Sequence, residues 1–241
     1  MMTKSRYRAL DEAKIIETLE RLRNRIRERF PGSGLSQVSE ELIAVARETA
    51  ECVAYLRSPH WPVRFFAGAA IAGMVVVVLW MVTKTMQLPL HIKGQAEVVQ
   101  VIDATASTAV FIGLAVLFLL TIEPRLKRRQ SLRIVHQLRS LAHVIDMHQL
   151  TKDPERLLSS EPDTSSSPKR TMSASELGRY LDYCSELLSA ASKLSALLVQ
   201  YFDDPVVLGA VDDIEALTTG LSGKIWQKIQ LLDSGKISSK G

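Results

Sequence analysis

Residues 65–83 read FFAGAAIAGMVVVVLWMVT, and residues 104–122 read ATASTAVFIGLAVLFLLTI. Each stretch is nineteen residues long and carries no charge. At 1.5 Å per residue each makes a helix of roughly 28 Å, close to the ~30 Å hydrocarbon core of a bilayer. The competing explanation is a pair of buried core helices in a water-soluble protein. Core helices are usually shorter and keep a polar face, and these stretches have none. They are therefore expected to cross a membrane. The whole-chain averages, 46% hydrophobic and 23% charged, hide this signal because they match those of a soluble protein. The first stretch lies too far into the chain for a cleaved secretory signal. The N-terminal region, with Asp11, Glu12, Glu17 and Glu20, is too acidic for an organelle transit peptide.

Orientation follows from the basic residues beside the spans. After the second span comes EPRLKRRQSLR, with Arg125, Lys127, Arg128, Arg129 and Arg133. Arg57 and Arg64 flank the start of the first span, next to Trp61, an interfacial anchor type. In the connecting segment Lys84 and Lys93 are balanced by Glu97 and Asp103. Trp61, Arg64, Arg125, Lys127, Arg128 and Arg129 thus read as topology anchors that hold both chain ends in the cytoplasm. The fold class expected is all-α: a two-span transmembrane helical hairpin with a cytoplasmic antiparallel helical bundle. In a bacterium the protein would sit in the inner membrane, with the loop in the periplasm.

The domain boundaries follow. Residues 1–62 form an N-terminal cytoplasmic helical hairpin. Residues 63–122 form the membrane hairpin, with a short external loop at 84–103 that Pro89 and Gly94 break. Leu88, Leu90 and Ile92 alternate there and suggest a short extended piece. Residues 123–158 hold a cytoplasmic helix, 159–173 a linker too poor in apolar residues to fold, and 174–241 a second cytoplasmic hairpin. Apolar residues recur at helical spacing in each cytoplasmic segment. The first seam is Ile15, Leu19, Leu22 and Ile26; the second Val38, Leu42, Val45, Thr49, Cys52 and Leu56; the third Ile134, Leu138, Leu141 and Ile145. The fourth runs Leu177, Leu181, Cys184, Leu188, Ala191, Leu194 and Leu198, and the fifth runs from Val207 to Leu232. Phe30-Pro31-Gly32-Ser33-Gly34 ends the first helix. Asp153-Pro154-Glu155 reads as a helix start, Ser173 with Glu176 as a capping box, and Asp204-Pro205 as a stop and restart. Gly220 and Gly223 weaken the last helix, and the tail from Ser234 should fray. Residues 1–62 carry 11 basic and 9 acidic side chains, and residues 173–241 carry 6 and 9. The acidic C-terminal hairpin is expected to dock on the N-terminal one as a four-helix core.

Chemistry-bearing residues are few. In HQLRSLAHVIDMH, His136, His143 and Asp146 are metal-ligand types spaced along one helix. At 100° per residue, however, both histidines lie about 180–200° from Ile134, on the face opposite the seam, which favours a solvated role. No metal or other cofactor is expected. Arg21, Arg23, Arg25, Arg27 and Arg29 occupy alternate positions and so scatter round a helix. Interspersed acids and missing aromatics argue against a nucleic-acid partner and leave salt bridges or anionic headgroups. The two cysteines, Cys52 and Cys184, have no partner at metal-ligand spacing and are expected to be small buried hydrophobes. Within the spans, Gly68 with Ala72, Ala69 with Gly73, and Thr105 with Ala109 and Gly113 repeat at i, i+4. Such stripes let helix backbones approach, either between the spans or between copies of the chain.

Phosphate-binding glycine loops, zinc-protease helices and nucleophile elbows are missing from the sequence. The reading that results is a non-catalytic membrane protein acting by helix–helix interaction, as scaffold, assembly factor or signalling adaptor. Its partners would be membrane lipid, further copies of itself and a protein met through the cytoplasmic helices. One alternative is an oligomeric pore or transport subunit with Thr105, Ser107 and Thr108 at its mouth. The other is a membrane metal protein or enzyme using the His136, His143 and Asp146 cluster.

Overall fold

The computed structural model describes residues 9–58, 61–87, 95–154 and 172–238. These residues are helical apart from short links, with no strand among them. The helices are α1 (Glu12–Arg29), α2 (Gly34–Arg57), α3 (Trp61–Gln87), α4 (Gln95–Leu150), α5 (Ala174–Tyr201) and α6 (Pro205–Ser238). Two compact units divide the chain, one formed by Met1–Arg57 with Arg128–Gly241 and the other by Ser58–Lys127.

The larger unit is a bundle of α1, α2, the second part of α4, α5 and α6. Local chemistry sets most of the helix ends. The Asp11 side chain caps α1 by accepting from the Ala13 and Lys14 amides. Gly32 takes a φ of 69° between α1 and α2, a left-handed conformation glycine adopts without a Cβ penalty. Ser173 and Glu176 form the reciprocal capping box at the start of α5. Asp204 caps α6 by accepting from the Val206 and Val207 amides, with Pro205 in the first turn, where its missing N–H is no loss. Gly220 and Gly223 do not interrupt α6.

Side-chain pairs fix the helix directions. Arg47–Glu20 and Arg57–Glu12 run α1 antiparallel to α2, and Arg25–Glu186 with the Leu10–Gln200 bonds run α1 antiparallel to α5. Arg128–Asp204 and Arg139–Asp213 set α4 alongside α6 in the same direction. These pairs are mostly exposed at one end and worth little each; the buried apolar cluster supplies the stability.

Within the bundle, several features depart from the sequence reading, among them the tail from Ser234, which is helical as far as Ser238. The four-helix core is larger than expected, because α4 joins it: Ile134, Val135, Leu138, Ala142 and Ile145 are buried in the common cluster. Leu141, placed on the third seam, is only half-buried, since the buried face is shifted toward Val135 and Ala142. Helix α5 is buried on a broad face rather than a narrow seam. Tyr180, Tyr183, Leu187 and Leu197 join the expected residues because α5 packs on α1, α2 and α6 together. Finally, residues 104–122 and 123–150 are not separate elements. Helix α4 runs unbroken through Pro124, which removes only one backbone bond from a 56-residue ladder.

The smaller unit pairs α3 with the first part of α4. Both helices are long and apolar enough to cross a membrane, and none of the residues in either apolar window is buried. Val63, Ala67, Ile71, Met74 and Val78 are half-shielded at helical spacing, as are Ile112, Ala115, Val116, Leu119 and Ile122, which marks the seam between the two helices. Phe65, Phe66, Trp80 and Phe111 point outward, Phe111 being 73% exposed. Both helices outrun the apolar stretches: 84–87, expected as loop, are helical, and α4 begins at Gln95, where Gly94 ends the break. The extended piece at Leu88, Leu90 and Ile92 lies outside the described residues. So do the helix start beyond Pro154, the linker up to residue 171 and the last three residues of the tail.

Candidate functional site

A groove of about 830 Å³ lies between α1, α5 and α6. It exists because α1 and α6 both lie against the central α5 without closing over it. Ile15, Leu19 and Leu22 from α1 and Ile225 and Ile229 from α6 give it an apolar floor. Trp226 lies at its edge, 60% exposed, although it neighbours the buried Ile225. Charged side chains rim the groove: Asp11 and Lys14 on one wall, Asp182, Glu186 and Lys193 on the other. Glu186 accepts from Arg25 at 2.7 Å, Asp182 lies 3.5 Å from Arg179, and Lys193 donates to Ser189. An apolar floor with a charged rim suits an amphipathic segment better than a small polar substrate. Sequence reasoning missed this site. Its one visible signal was a tryptophan beside, not on, an apolar seam.

The histidine cluster takes a different form. His136 and His143 are exposed on α4, while Asp146 is half-buried and accepts from Gln149 Nε2 at 2.6 Å. No group of three metal-ligating side chains comes together among the described residues. His148 sits apart: its imidazole lies on the backbone of Gly34, where a Cβ would meet Cε1 at 2.2 Å. Nearby, Lys228 Nζ donates to the Gln149 and Lys152 carbonyls at 2.9 and 3.3 Å, capping the end of α4. Burial holds its ammonium pKa below the usual lysine range, against the pull of Asp153 and Asp146.

Both cysteines are buried. Burial pushes the Cys184 thiol up to about 12 and the Cys52 thiol up to about 11, the latter despite the opposing influence of the nearby Ser131 hydroxyl. Neither is poised as a nucleophile.

In the apolar unit the small-residue stripes do not lie between the two helices. Gly68, Ala69, Ala72, Gly73, Ala109 and Gly113 are all exposed, and a Cβ on Gly68, Gly73 or Gly113 would meet nothing within 4 Å. Bulkier residues fill the seam instead. Thr105 lies on α4, with its side chain outside the described residues.

The basic residues divide. Arg64 Nε donates to Glu123 at 2.7 Å, and Lys127 lies 3.2 Å from the same carboxylate and donates to the Ser58 carbonyl. Glu123, which the sequence reading left without a role, therefore ties the two apolar helices at one end. Arg125 stacks over Phe118 at 5.6 Å. Arg128 is drawn into the bundle by Asp204, while Trp61 and Arg129 are exposed.

No protein-family model matches the chain, and comparison with curated proteins and with solved structures finds no significant match.

Proposed function

We propose that the chain is a non-catalytic integral membrane protein that works by helix–helix interaction, as a scaffold, assembly factor or signalling adaptor. The observation that carries this reading is the contrast between the two units. The bundle has a buried core of its own, while the other unit exposes apolar side chains along both of its helices. Apolar surface on that scale is far beyond what a soluble monomer shows and is matched by lipid. Arg64, Lys127 and Glu123 at one end of the hairpin, with Trp61 and Arg125 beside them, suit the cytoplasmic interface of a bacterial inner membrane, both termini inside.

The outward small-residue faces suit close packing on the same faces of another copy, and the groove suits a protein partner. Photocrosslinking in native membranes tests this. A photoreactive residue at Gly73 should capture a second copy of the chain, and one at Ile71, in the seam, should not. Equal labelling from both positions, or none from Gly73, would remove the self-association. A pore built from several hairpins would instead pass ions when the purified oligomer is placed in liposomes. The scaffold reading expects no flux.

A further inference from the structure

The wall that α6 gives to the groove consists of Ser222, Ile225, Trp226 and Ile229, all of them beyond Gly220. Gly220 and Gly223 stand where that half of the helix begins. Both are exposed, neither has a positive φ, and a Cβ on either would meet nothing within 4 Å. Neither packing nor backbone geometry requires glycine there. What two glycines three residues apart do bring is a helix that bends more easily, since each lacks the side chain that restricts the backbone.

The two halves of α6 are held differently. The first is fixed by the Asp204 cap and by the Arg128–Asp204 and Arg139–Asp213 pairs with α4. In the second, Ile225 and Leu232 are buried, and Lys228 Nζ donates to the Gln149 and Lys152 carbonyls at 2.9 and 3.3 Å. The carboxyl end of a helix favours a positive charge, and Asp146 and Asp153 add to the attraction. At about 100° per residue, Trp226 and Ile229 lie about 100° and 40° to one side of Ile225, and Lys228 lies about 60° to the other. The groove wall and the tie to α4 thus occupy opposite flanks of this half-helix, and the tie draws it away from the groove.

We infer that α6 beyond Gly223 is an arm that turns about Gly220 and Gly223, and that Lys228 latches it to the end of α4 and so keeps the groove open. With the latch seated, Ile225, Trp226 and Ile229 stand apart from Ile15, Leu19 and Leu22 on α1. With it released, the arm swings toward α1 and these apolar side chains meet, which removes them from water. The inference concerns the bundle alone and does not rest on the membrane reading.

Spin-label distances in the full-length protein test it. Glu17→Cys, exposed on α1 and outside the groove lining, is paired with Gln230→Cys beyond the glycines and, as control, with Thr219→Cys before them, both exposed on α6. Cys52 and Cys184 are buried and serve as silent background. Lys228→Met keeps the apolar stem and removes the ammonium. It should shorten the 17–230 distance and leave the 17–219 distance unchanged. Adding Gly220→Ala and Gly223→Ala should return the first distance to its parent value. An unchanged 17–230 distance in Lys228→Met overturns the proposal, as does failure of the alanines to restore it. So does an equal shift in both pairs, which marks a loosened bundle and not a turning arm. The two alanines alone keep Lys228 in place and should narrow the spread of 17–230 distances in the parent. An unchanged spread removes the hinge, even if Lys228→Met does not fold.

Discussion

Two residues show how single side chains set the bundle's tolerance. Gly34 opens α2 with the His148 imidazole against its backbone. Gly34→Ala should destabilise the protein by about 1–3 kcal/mol through overpacking. The loss should shrink in a His148→Ala background, where the added methyl finds room. A double-mutant cycle by chemical denaturation checks this. Asp204 is the second. Burial raises its carboxyl pKa, but the Arg128 hydrogen bond and the Val206 and Val207 amides outweigh that and hold it below the usual carboxylate range. A carboxyl depressed in the folded state stabilises fully above its unfolded pKa, and that stability is lost as pH falls through the folded value. Asp204→Asn keeps a capping oxygen but loses the charge that meets Arg128, and should therefore cost up to about 1 kcal/mol at neutral pH. Stability of the parent should fall faster than that of the variant below about pH 4, as thermal melts against pH would record.

The helices were the most legible part of the sequence, and legible for physical reasons. Ile15, Leu19, Leu22 and Ile26 recur at helical spacing, and all four are buried. The cap at Ser173 and the restart at Asp204-Pro205 also stand where local chemistry places them. What the sequence left open was which neighbours each face meets. The seam of α5 looked narrow because an apolar period records one face, whereas α5 lies among three other helices. The small residues of α3 and α4 carried the same ambiguity: their spacing permits a close approach but does not say to which helix. The groove was hidden because no single element encodes it. A central α5 also predicts an uneven response to truncation. Leu188→Ala, at a fully buried position, should cost about 2–5 kcal/mol. Leu231→Ala, 43% exposed on α6, should stay within about 0.5 kcal/mol. Urea midpoints of the two variants give the comparison.

At the scale of the whole chain, the two units differ in where they put their apolar side chains. The bundle hides its apolar residues behind charged surfaces, as water demands. The helices α3 and α4 turn phenylalanine, tryptophan, valine and leucine outward and keep charges out of both apolar stretches, a pattern that suits a bilayer. The proposed role as a scaffold rests on that contrast: a bundle with its own core would serve recognition, and an apolar hairpin would serve as its anchor. The most direct measurement is the reaction of single introduced cysteines with a membrane-impermeant maleimide in intact bacterial cells, the outer membrane made permeable. Lys93→Cys, between the two apolar helices, should label without lysis of the inner membrane, while Ser140→Cys in the bundle should label only after lysis. Labelling of both positions before lysis, or of neither until lysis, would contradict a hairpin that crosses the membrane twice.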